Sequence, residues 1–88
     1  MSTEDRKRKI SASIADLIEK EPTSKSEMID WYDKAKKVKS LMELDRGDLQ
    51  VPHALWHYLE DADIRLKDQR YAESQVLMVK EVLRTWIK

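Results

Sequence analysis

An all-α fold, a compact bundle of about four helices, is predicted by three features of this chain. Apolar residues recur at helical spacing along most of its 88 residues. Hydrophobic side chains make up 41% of the chain, too many for a disordered one. One glycine and two prolines leave few places for the tight turns of a β-sandwich or barrel. Residues 1–88 are expected to form a single helical domain, because a chain this short buries only about 60–65% of the surface its unfolded form exposes.

The first helix is predicted over residues 4–20, where Ile10, Ile14, Leu17 and Ile18 stand at i, i+4, i+7 and i+8. Ser2 or Thr3 ahead of Glu4 and Asp5 signals its start, and Glu21-Pro22 its end. The second helix is predicted over 25–45, after the capping-box spacing of Ser24-Lys25-Ser26-Glu27. Met28, Trp31, Ala35, Val38 and Met42 give it a seam, which Ile29, Tyr32 and Leu41 widen. Gly47, the only glycine, suits the left-handed residue that ends it.

The third helix is predicted over 52–67, with Pro52 in its first turn and Leu55, Leu59, Ala62 and Leu66 as its buried stripe. Lys67-Asp68-Gln69-Arg70 has weak turn character, and Asp68 is placed to cap a fourth helix over 70–87. There Ala72, Val76, Val79, Leu83 and Trp86, flanked by Leu77, Met78, Val82 and Ile87, predict a wide buried arc.

Composition narrows the function. Seventeen basic and 17 acidic residues cancel, so no net field draws the chain to nucleic acid or an anionic membrane. The absence of cysteine excludes thiol catalysis, iron–sulfur clusters and cysteine-ligated zinc. The charged start of the chain is unlike a secretory signal, and no segment approaches the ~18 consecutive apolar residues of a membrane span. A cytoplasmic protein without a membrane partner is expected. No glycine-rich phosphate loop, serine elbow or cysteine nucleophile appears, so neither an enzyme nor a cofactor is expected.

The densest cluster of functional groups is Pro52–Arg65. On a continuous helix His53, His57 and Asp61 stack at i, i+4 and i+8, a row of two imidazoles and a carboxylate. Two such histidines make half of a tetrahedral site, the glutamate of a zinc-protease helix is missing, and Asp61 has Arg65 as a competing partner. No metal is therefore expected there. Trp56 and Ile64 make the helix apolar on a second side, which either packs within the bundle or meets another protein. The second option defines a candidate docking patch of His53, Trp56, His57, Glu60, Asp61 and Ile64 for a partner protein or a second copy.

Two basic runs offer a nucleic-acid alternative: Arg6, Lys7, Arg8 and Lys9, and Lys34, Lys36, Lys37 and Lys39. Acids four residues ahead answer several of them, as in Glu4–Arg8, Asp5–Lys9, Asp30–Lys34 and Asp33–Lys37. Asp61–Arg65 and Asp63–Lys67 repeat the arrangement, which describes a solvated helix surface. Arg46-Gly47-Asp48 matches an adhesion tripeptide, but helix capping accounts for it better. The expected function is that of a small intracellular accessory or regulatory protein that binds another protein, with nucleic-acid binding and divalent-metal binding as alternatives.

Overall fold

The periodic apolar positions become five helices in the computed structural model, which describes residues 3–43 and 50–86. They are α1 (Thr3–Glu19), α2 (Lys25–Glu43), α3 (His53–Glu60), α4 (Ala62–Lys67) and α5 (Gln69–Trp86), with no strand among the described residues. Helix α1 packs chiefly on α2, and α5 lies across α3 and α4 and touches α1, giving the expected compact all-α bundle.

The predicted stripes meet in one core: Ile10, Ile14 and Leu17 from α1, Trp31, Ala35, Val38 and Met42 from α2, Leu55, Leu59 and Ala62 from α3 and α4, and Val79 and Leu83 from α5. Full burial of a side chain such as Ile14, Leu55 or Leu59 contributes ~1.5–3 kcal/mol. The buried Trp31 indole also donates its N–H to the Leu17 carbonyl at 3.0 Å, which ties α2 to the end of α1.

The caps follow the sequence with one shift. Glu27 N–H donates to Ser24 Oγ at 3.3 Å, but the Glu27 carboxylate accepts from the Thr23 N–H at 2.9 Å, one residue further back than a capping box requires. That backbone bond, helped by the Thr23 hydroxyl, holds the Glu27 carboxyl below its usual range. Asp68 breaks α4 from α5 as predicted, and its Oδ1 accepts the Tyr71 N–H at 3.1 Å.

Other expectations are corrected. Residues 52–67 do not form one helix, because Asp61 (φ −103°, ψ 17°) separates α3 from α4. The Tyr32 hydroxyl occupies the gap: it accepts the Asp63 N–H at 3.2 Å and faces the Glu60 carbonyl, also at 3.2 Å, as a donor. Pro52 is the N-cap of α3 and lies outside its first turn. Ile29 does not widen the α2 seam but is exposed, and Leu77 and Met78 likewise leave the buried arc assigned to the last helix. Gly47, the Arg46–Asp48 tripeptide and Ile87 lie outside the described residues.

Candidate functional site

The break at Asp61 rearranges the patch that sequence reasoning assembled on one helix. His53 and His57 are exposed on α3, and Trp56 beside them is half-buried and packed against the core. Glu60 pairs with Lys39 of α2 at 3.4 Å. Ile64 sits on the next helix, 45% exposed. Asp61 turns inward, where its Oδ2 accepts the Tyr71 hydroxyl at 2.7 Å and the Gln75 side-chain N–H at 3.0 Å. Its alignment with His53 and His57 is thereby lost, and among the described residues no group of three His, Cys, Asp or Glu side chains is arranged to hold a metal ion.

Asp61 belongs instead to a polar network beneath α4, and Arg65 is the hub of that network. The Arg65 side chain, read from sequence as half of a surface pair, is 1% exposed and forms its ion pair with Glu21. Its Nη1 donates to the Tyr58 carbonyl at 2.6 Å and to Gln75 Oε1 at 2.7 Å. The guanidinium carbon stands 4.0 Å from the Tyr58 ring centroid and 5.2 Å from that of Trp31. These ring faces supply the negative potential that Nη2 does not find in a hydrogen bond. Tyr58 completes the cycle by donating to Glu21 Oε2 at 2.8 Å, and its burial, followed by the Glu21 charge, pushes its phenol pKa far up. The Tyr71 phenol is also raised, chiefly because it donates to the Asp61 carboxylate.

The basic runs remain interleaved with acids. Arg8 pairs with Asp5 at 3.9 Å, and Lys7 lies 5.6 Å from the Trp86 ring centroid. Lys34 and Lys37 line a shallow groove with Ser13 and Asp16, and Lys36 and Lys37 line another with Asp33 and Ser40. Arg6 is half-buried and Lys9 exposed. A phosphate-tracking stripe needs uncompensated cations, and an acid stands in both of these grooves.

The surface that sequence reasoning missed is on α5. Gln69, Ala72, Glu73, Val76 and Leu77 line an open depression of about 440 Å³, and Leu77 at its end is 68% exposed. A second depression, of about 340 Å³, shares Gln69 and Ala72 with it and continues over Leu66 to Pro22. A signal for this face was present: on a helical wheel Leu77 falls about 160° from the buried Val79, on the side of Glu73, Lys80 and Arg84.

Among the described residues no helix is long and apolar enough to cross a membrane. Comparison of the chain with protein-family models, with curated proteins and with solved structures gives no match.

Proposed function

We propose that this chain is a small intracellular, non-enzymatic accessory or regulatory protein that acts by binding another protein, and that it docks through the outer face of α5. The observation that carries this reading is Leu77, exposed at the edge of a depression that also contains Ala72 and Val76. An aliphatic patch left in water gains roughly 25 cal/mol for each Å² of apolar surface that a partner covers. The charged side chains Glu73 and Lys80 beside it give such a surface a polar rim. The α3 patch has the weaker support, since Glu60 and Asp61 already have partners within the fold and Ile64 stands apart on α4.

The test is affinity capture from a native lysate with the wild type, Leu77→Glu and Ile64→Glu, after circular dichroism has shown equal helicity. Proteins retained by the wild type and by Ile64→Glu are expected to be lost from Leu77→Glu. Identical capture by all three overturns the docking reading. Loss with Ile64→Glu alone overturns the placement on α5 and returns the surface to the outer side of α3 and α4.

A further inference from the structure

We infer that the occupant of the α5 face is a second copy of this chain, with the two α5 helices packed antiparallel about a two-fold axis. The inference rests on the reading of α5 as a docking surface and names what covers it. Gln69, Ala72, Glu73 and Val76 stand at i, i+3, i+4 and i+7 and line the depression on the outer face of α5. Leu77, 68% exposed, lies beside that depression and stands between Glu73 and Lys80 along the helix. An exposed aliphatic side chain at the centre of a contact can meet its own copy across a two-fold axis, as an isologous interface requires.

The charges select the direction. Glu73 and Lys80 are both exposed and lie seven residues apart on α5, on either side of Val76 and Leu77. Seven residues are nearly two helical turns, so the two side chains project from the same side. A parallel pair sets Glu73 against Glu73 and Lys80 against Lys80. An antiparallel pair reverses the order and sets Glu73 of each copy against Lys80 of the other, two ion pairs that bracket an aliphatic centre. The 18 residues of α5 span about 27 Å, enough length for both pairs and the central contact.

Sedimentation velocity over a concentration series tests the inference with the wild type, Leu77→Glu, Glu73→Lys, Lys80→Glu and the double reversal E73K/K80E. All three substituted positions are exposed, and circular dichroism checks that each variant keeps its helices. The wild type is expected to dimerise, and Leu77→Glu to stay monomeric at every concentration. Each single reversal is expected to weaken dimerisation about ten-fold, because it opposes like charges twice, and the double reversal to restore it. A wild type that remains monomeric to about 1 mM overturns the inference, as does a double reversal no better than the single ones or a dimer that survives Leu77→Glu. A monomeric wild type that still captures a different protein through Leu77 overturns the second-copy occupant alone and leaves the docking reading standing.

Discussion

The inner side of α4 and α5 and the outer side of α5 depart from the usual partition of residues in opposite senses. Inside, Arg65 and Gln75 are buried, Arg65 against the rings of Trp31 and Tyr58, where an unpaired polar group costs several kcal/mol. Outside, Leu77 and Met78 are 68% and 48% exposed on a helix that has room for charges there. The difference lies in compensation. The inward polar groups are almost completely satisfied, Arg65 by Glu21, Gln75, the Tyr58 carbonyl and two ring faces, Asp61 by Tyr71 and Gln75. The outward aliphatic groups have no such compensation within the described residues, and a binding partner is the simplest source of one.

Substitutions on the two sides are accordingly expected to have very different effects on stability. Arg65→Ala leaves Gln75, the Tyr58 carbonyl and Glu21 without their cation and is expected to cost ~3–5 kcal/mol in urea unfolding. Arg65→Met, which refills the space without a charge, is expected to cost much less. Equal losses for the two variants break the comparison, since the space rather than the charge then governs stability. Tyr58→Phe removes one hydrogen bond to Glu21 while keeping the ring under the guanidinium, and is expected to cost ~1 kcal/mol. Leu77→Lys is expected to change stability by less than ~0.5 kcal/mol. A loss above about 2 kcal/mol at Leu77 places it in the core and removes the contrast.

The sequence made some of this legible and hid the rest, for identifiable reasons. The stripes Ile10–Ile14–Leu17 and Trp31–Ala35–Val38–Met42 were readable because helical geometry alone dictates which positions share a face. Asp68 was readable because a cap bonds to a backbone N–H only three residues away. The break at Asp61 was hidden because no glycine or proline marks it. It is enforced from outside the segment by Tyr32 of α2 and by Tyr71 and Gln75 of α5. Arg65 was misread for the same kind of reason, since local spacing offered it Asp61 at i−4 and folding brought Glu21, 44 residues away, to its guanidinium. At the candidate site, Leu77 was counted with Val79 and Leu83 by hydrophobicity when its angle on the wheel set it apart.

The distance along the chain between Glu21 and Arg65 also has a consequence in time. A contact between residues 44 positions apart forms only after the chain has paid the closure entropy of the intervening loop. The Arg65 end of the pair is shielded from water only when the rings of Trp31 and Tyr58 are in place, so its full strength is expected after α2 and α3 have docked. Interactions that arise late on the folding path scarcely affect how fast the chain folds and chiefly set how slowly it opens. The Arg65 network is thus expected to act as a latch that lengthens the lifetime of the folded state, and faster stopped-flow unfolding of Arg65→Met at an unchanged folding rate is the result that bears this out.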